Sequence, residues 1–500
     1  MPRLSRTLAT TAVALAGMVG LVLPGSSLAK SPGPAFVRAS QLPGSNGTTE
    51  PRVAVGPDDT RYVISGSGTF SAGKAPVTVY SSHDRGLTWR TTAAAPVSAS
   101  PDVDIVVTRT GRLIATSLGG SGTGIGIEIR YSDNHGQSWR SAGGLAQLLE
   151  QDRPWLTVGG DDPKSHQPRV YLLFHNLFSG NLTQNMFIST SVDGGATFGA
   201  PVALTVPGSA AWLDLQCGSS TGPTGLLVNP KTGRLHAVWG VRGGAIGGCG
   251  HLPLQPATIV AQDRLWVSTS LDGGLGSWHN SLAVDDSSTG HLVGMQLAGQ
   301  AEDTAGNVYV VYPEGPHSYP NFDGAGVRVR WAPPDLSRWS APITIAHTRA
   351  PGNVLTHIVA GDPGRFDVAW LAGDQHNNAQ PLWYATVAQV LNGLGANPTV
   401  VTRRLAAPPA FRGTASQLMG ECGTGQNLAV DASAVICHRI TDVWGVALDS
   451  RCYLTLSWPS VSPATDPTLG ASVDTTWVDT QVGGPGVCVR RPLVRRQLGG

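Results

Sequence analysis

The chain has 500 residues, 13% charged and 41% hydrophobic, with a formal net charge of +1. Only four residues are Lys and six are Glu. That is too few of these strong helix formers to clothe a set of exposed amphipathic helices, which excludes helical bundles and coiled coils. Gly (64) and Pro (36) together reach 20% of the chain, turn-rich yet below the roughly 25–30% of low-complexity disorder, and the near-neutral charge gives no general electrostatic case for nucleic acid or anionic membranes.

In chain order, residues 1–29 read as a secretory signal. Arg3 and Arg6 precede an apolar run over 9–23, Pro24-Gly25-Ser26 breaks it, and Ser27-Leu28-Ala29 fits a small-x-small cleavage site. Such a run falls short of the roughly 20 residues that span a bilayer. The mature chain is therefore expected outside the cell, without a membrane span. Residues 30–488 read as one domain. Residues 489–500, with Arg490, Arg491, Arg495 and Arg496, read as a basic, solvated and disordered tail.

Within the domain one pattern recurs: an apolar strand, a short polar turn often holding Asp or Gly, and a second apolar strand. Copies start near Val53, Ile105, Leu156, Leu226, Gln300, Ile358 and Val446. A second motif, S-x-D-x-G-x-T-W, follows the first four. Its copies run Ser82, Asp84, Gly86, Trp89; Ser132, Asn134, Gly136, Trp139; Ser191, Asp193, Gly195, Phe198; and, with one residue inserted, Ser270, Asp272, Gly274, Trp278. Pro334-Asp335-Leu336-Ser337-Arg338-Trp339 reads as a fifth remnant. The residue types suit a hairpin turn: the Asp or Asn side chain accepts from the turn's backbone N–H groups, Gly supplies a positive φ, and the aromatic ring packs between sheets.

The even set of Cys217, Cys249, Cys422, Cys437, Cys452 and Cys488 suits disulfides in an exported chain, and proximity in sequence pairs them in that order. No CxxC or HExxH is present, so a zinc site has no support; Asp161-Asp162 leaves room for a bound calcium but lacks the ligand series of an EF-hand loop, and neither a metal nor a cofactor is assigned. Gly218-Ser219-Ser220-Thr221-Gly222 fits G-x-S-x-G but is followed by no helix pattern, which argues against a hydrolase elbow.

The repeated turn resembles the Asp-box (BNR repeat) of secreted bacterial sialidase-like β-propellers. So do Asp152-Arg153-Pro154-Trp155-Leu156 and the stretch from Asn353 to Trp370, and the resemblance covers most of 35–488. It implies an all-β propeller of four-stranded blades. Seven blades follow from the seven hairpins, with six, as in true sialidases, as the alternative. Phe36-Val37-Arg38-Ala39-Ser40 resembles the strand after an Asp-box and is expected to complete the last blade and close the ring. Asp-boxes lie at blade peripheries, so their residues are expected to be structural.

Propellers bind ligands at the central mouth, where the innermost strands begin. The polar residues expected there are Glu50, Arg52, Asp104, Asp152, Arg153, Gln296, His357, Arg439 and Asp442, with Trp155 as a sugar-stacking platform. They form either hydrogen-bonded staples between blades or a sugar-sized pocket. Sialidases clamp a carboxylate with three Arg and use an Asp acid/base with a Glu-activated Tyr. Candidates here are Arg52, Arg153 and Arg439 for the clamp, Asp104 or Asp152 as acid, and Glu50 or Glu421 as base. Pro51-Arg52-Val53 departs from the family's Arg-Ile-Pro, and Tyr312-Pro313-Glu314 lacks its Tyr/Glu spacing. The expected function is thus binding of glycans or other extracellular ligands, proteins included. The alternatives are an exo-α-sialidase or related glycoside hydrolase and a structural cell-surface protein.

Overall fold

The computed structural model describes residues 33–489 except 68–75, 93–95, 122–123, 146–150, 177–184, 217–222, 230, 242–261, 289–290, 294–298, 317–324, 350, 375–380, 413–417, 419–443 and 463–472. Its strands form seven antiparallel sheets, and helix is nearly absent: the short Ala210–Leu215 is capped by the Ser209 hydroxyl. From the inside outward, blade 1 is Thr48–Val55, Arg61–Ser67, Thr78–Ser82 and Arg90–Thr91. Blade 2 is Val103–Val107, Leu113–Ser121, Gly124–Ser132 and Arg140–Ser141. Blade 3 is Asp152–Asp161, Pro168–His175, Met186–Ser191 and Val202–Ala203. Blade 4 is Pro223–Val228, Leu235–Val241, Arg264–Ser270 and Trp278–Asp285. Blade 5 is Gly299–Glu302, Val308–Pro316, Gly326–Ala332 and Ile343–Ala346. Blade 6 is Asn353–Ala360, Phe366–Asp374, Leu382–Val390 and Val400–Arg404. Blade 7 is Gly445–Leu448, Leu454–Ser462 and Val473–Gly483, completed by the N-terminal Ala35–Phe36 and Ser40–Gln41. The protein is a seven-bladed β-propeller; the six-bladed alternative is excluded.

The seven sequence hairpins are the first two strands of the seven blades. In six blades an Asp, Asn or Thr side chain after the inner strand closes the turn, as Asp58, Thr108, Asp162, Asn229, Asp303 and Asp449 do; in blade 6 backbone closes it, and Asp362 instead accepts from Thr304 and Val489. Asp162 Oδ1 accepts from the Lys164 and Ser165 N–H groups, Asn229 Oδ1 from Lys231 and Thr232, and Asp449 Oδ1 from Arg451 and Tyr453. The second strands are covered on both faces: every residue of Arg61–Ser67 and Leu235–Val241 is buried, including Arg61, Ser65, Ser67 and His236.

The repeated S-x-D-x-G turns join third to fourth strands. In each, the Ser hydroxyl donates to the Asp or Asn side chain (2.6–2.9 Å) and accepts from the Gly N–H (2.7–2.9 Å). In the first turn, burial pushes Asp84 up, but the hydrogen bonds from Thr88, Ser82 and Leu87 together outweigh it and hold the carboxyl down at about 2. The aromatic residue that follows fills the seam with the preceding blade: Trp139 joins the cluster of blades 1 and 2, Phe198 that of 2 and 3, and Trp278 that of 3 and 4. Trp339 of the remnant turn does the same between blades 4 and 5, donating Nε1–H to Ser281 Oγ (3.0 Å), and Trp89 packs with Val478 of blade 7.

The ring closes where the sequence placed the closure. The Val37 and Leu42 N–H groups donate to the carbonyls of Thr480 and Thr476, both 2.9 Å. Behind them Arg61 of blade 1 and Asp449 of blade 7 form a fully buried ion pair at 2.9 Å. Of the expected disulfides, Cys452–Cys488 is present; Cys217, Cys249, Cys422 and Cys437 lie outside the described residues.

Candidate functional site at the ring mouth

The first halves of the innermost strands converge at one end of the ring. Arg52 of blade 1 places Nε 3.7 Å from Asp104 Oδ1 of blade 2 and its guanidinium 4.0 Å from the ring centroid of Trp155 in blade 3. Its Nη2 donates to the Thr224 carbonyl of blade 4 (3.2 Å). One side chain thus touches four consecutive blades. Glu50, Asp102, Arg153 and His357 lie within electrostatic range of it. Burial depresses the pKa of Arg52, and Asp104, Glu50 and Asp102 oppose that shift while Arg153 adds to it. Burial also raises the carboxyl of Asp104, against the pull of Arg52 and of the Leu156 and Ile105 N–H groups, which donate to its two oxygens at 2.7 and 2.9 Å.

Trp155 is fully buried, one ring face lies against Arg52, and its Nε1–H donates to the Pro223 carbonyl (2.6 Å). Beside it the strand register pairs Asp152 with His175, and Asp152 Oδ2 lies 3.3 Å from His175 Nε2 and 3.9 Å from Arg153 Nε. Burial pushes Asp152 up, yet His175 and Arg153 outweigh it and hold the carboxyl down at about 2; burial pushes the imidazole down. Opposite, His357 packs edge-on to Trp444 at 5.2 Å, whose Nε1–H donates to the Leu355 carbonyl (2.8 Å). Burial, reinforced by Arg52, lowers His357 to about 3, so the ring is neutral.

The inner strands of blades 1, 3, 4 and 6, four in all, carry a bulge here. Glu50 (φ 45°), Arg153 (φ 57°) and Leu355 (φ 57°) adopt left-handed backbone at the register shifts of blades 1, 3 and 6. Such conformations strain residues that carry a Cβ and cluster at functional sites, where bulges re-aim side chains. Three buried polar atoms of the mouth have no hydrogen-bond partner: Arg52 Nε, Thr224 Oγ1 and Gln300 Oε1, the last from a side chain whose Nε2 donates to the Gly225 carbonyl (2.7 Å).

The structure therefore brings together Glu50, Arg52, Asp104, Asp152, Arg153, Trp155 and His357. Arg439, Glu421, Asp442 and Gln296 lie outside the described residues, so of the three arginines expected to clamp a carboxylate two, Arg52 and Arg153, are described. His175, Thr224 and Trp444 escaped the sequence reading. For His175 the signal was the hairpin register opposite Asp152; Thr224 and Trp444 had none. Among the described residues no group of three or more His, Cys, Asp or Glu is arranged to hold a metal ion, and no helix is long and apolar enough to cross a membrane.

Fold and repeat define a BNR-type β-propeller. Residues 61–326 match the family model described as BNR repeat-like domain, and the chain belongs to this sialidase-like BNR β-propeller family. No curated protein matches it. Similar solved structures include a protein of unknown function from Dyadobacter fermentans (14% identity, 68% of this chain and 95% of that one, TM-score 0.42). Others are the GH93 α-L-arabinofuranosidase of Fusarium graminearum with arabinobiose (11%, 89% and 97%, TM-score 0.44) and a PL25 ulvan lyase (11%, 75% and 88%, TM-score 0.46). At these identities none of those activities passes to this chain on likeness.

Proposed function

We propose that the protein is an exported Asp-box propeller that binds glycans at the mouth around Arg52, Thr224 and Gln300 without turning them over. The observation that carries this reading is the pair of buried oxygens without a hydrogen-bond partner, Thr224 Oγ1 and Gln300 Oε1, beside Arg52 and amid strained backbone. A buried donor or acceptor costs about 1–3 kcal/mol when left unpaired, and a hydroxyl-rich ligand supplies both donors and acceptors. The four repeated turns read as Asp-boxes with a structural role. Export is supported by the Cys452–Cys488 bridge, since such bridges persist in oxidising compartments.

A glycan array probed with the secreted chain, wild type against Thr224→Val, tests the reading. Binding weakened by the variant at unchanged melting temperature is expected, and an empty array sinks it. A hydrolytic alternative, exo-α-sialidase or a related glycoside hydrolase, is favoured by the two arginines Arg52 and Arg153 within electrostatic reach of each other. It requires turnover of a fluorogenic sialoside or another glycoside and is lost if a broad panel shows none.

A further inference from the structure

We infer that the outer end of blade 6 is a second binding surface, for an acidic polysaccharide, separate from the mouth. A cleft of about 400 Å³ opens between blades 5 and 6, and a hollow of about 530 Å³ lies on the other side of the blade 6 outer strand. Arg404, the last residue of that strand, lines both. These volumes fall within the roughly 300–1,000 Å³ of small-molecule sites.

Blades 1 to 5 each bring an aromatic side chain from the turn before the fourth strand into the seam behind them. Blade 6 reaches its fourth strand through Leu391-Asn392-Gly393-Leu394-Gly395-Ala396-Asn397-Pro398-Thr399, with no aromatic residue. At that end of the seam Phe366, Val390, Val400 and Ile343 pack together, whereas the cleft opens at the other end, by Asn353, Asp374 and Arg404.

The lining selects the ligand. Arg349 and Arg38 are exposed, one on each side, and Arg404 lies between them, 3.1 Å above the Tyr384 ring and 3.0 Å from Asp374. Asp374 is the one acid among the described lining residues of both hollows, which leaves an excess of positive charge on a chain whose net charge is only +1. Guanidinium forks match carboxylates bidentately. Thr386 and Thr402 add hydroxyls in the cleft. Trp477 adds an aromatic ring in the hollow, and its buried Nε1–H has no hydrogen-bond partner. Two hollows in series around one arginine, with cations spaced along them, suit a repeating carboxylated sugar chain.

Calorimetry of the full exported chain with a galacturonate hexamer, and with maltohexaose as the neutral control, tests this. The hexamer is expected to bind and maltohexaose not to. Arg38→Ser/Arg349→Ser should weaken the hexamer by about tenfold or more, a loss of about 1.4 kcal/mol or more, at unchanged melting temperature. Thr224→Val at the mouth should leave it untouched, which separates this surface from the mouth. Silence with the hexamer, equal binding by the double variant, equal binding of maltohexaose, or equal binding of a single-stranded oligonucleotide of matched charge would each overturn the inference.

Discussion

Asp367 on the second strand of blade 6 is a carboxyl in the wrong solvent. It is buried, Oδ1 accepts from Gln389 Nε2 (3.0 Å), and Oδ2 has no hydrogen-bond partner. Burial raises it from 3.8 to about 7, against the smaller opposing effects of Gln389 and Arg365. The folded value lies above the unfolded one, so the folded state holds a proton that the unfolded state releases. Stability is then full below pH 4 and is lost progressively as pH rises to about 7. A shift of about 3 units at 1.4 kcal/mol each makes that loss about 4 kcal/mol.

Asp367→Asn keeps the shape and removes the titration. At pH 4 the variant should equal wild type or lose about 1–3 kcal/mol for an amide N–H left unpaired. At pH 8 it should be more stable than it is at pH 4, relative to wild type, by about 4 kcal/mol. Urea unfolding of both proteins at pH 4, 6 and 8 measures this. Asp479, which burial raises to about 8, titrates alike in both proteins and cancels. A difference between the two proteins that does not change with pH refutes the reasoning.

Deleting residues 35–41 should lower the melting temperature by about 5 °C or more, because it strips the strand that caps blade 7 and reopens a sheet edge; an unchanged melt in scanning calorimetry rules out this closure. Gly195→Ala should cost about 1–3 kcal/mol. Its φ is 85°, and a Cβ there would stand 2.5 Å from Ile114 Cδ1 of blade 2. Chemical denaturation reads the cost, and a neutral result would mean that the turn relaxes away from the preceding blade.

Much of this molecule was legible in the chain itself, because the legible features are local. A strand, an Asx-closed turn and a second strand are specified within about 15 residues by hydrogen-bonding chemistry and β propensity. The Ser–Asp–Gly turn carries its whole hydrogen-bond set within about five residues. Repetition of the hairpin seven times was enough for the blade number, and the orphan strand at 36–40 was enough for the closure. Polarity at the inner-strand starts singled out Glu50, Arg52, Asp104, Asp152, Arg153 and His357, which stand within electrostatic range of one another in the ring.

Partnership there was decided only in three dimensions. Whether Arg52 clamps a ligand or spans Asp104, Trp155 and Thr224, as far as 172 residues along the chain, depends on how many blades close the ring and how far each inner strand stands from the axis. No local periodicity encodes those two quantities. The same holds for the blade 5–6 cleft. Its lining comes from separate strands, Ile345 on blade 5 and Asn353, Asp374, Tyr384 and Arg404 on blade 6, and becomes a cleft only when the two sheets face each other. The order of residues along the chain determined the seven blades, and closure of the ring determined which of their polar side chains meet.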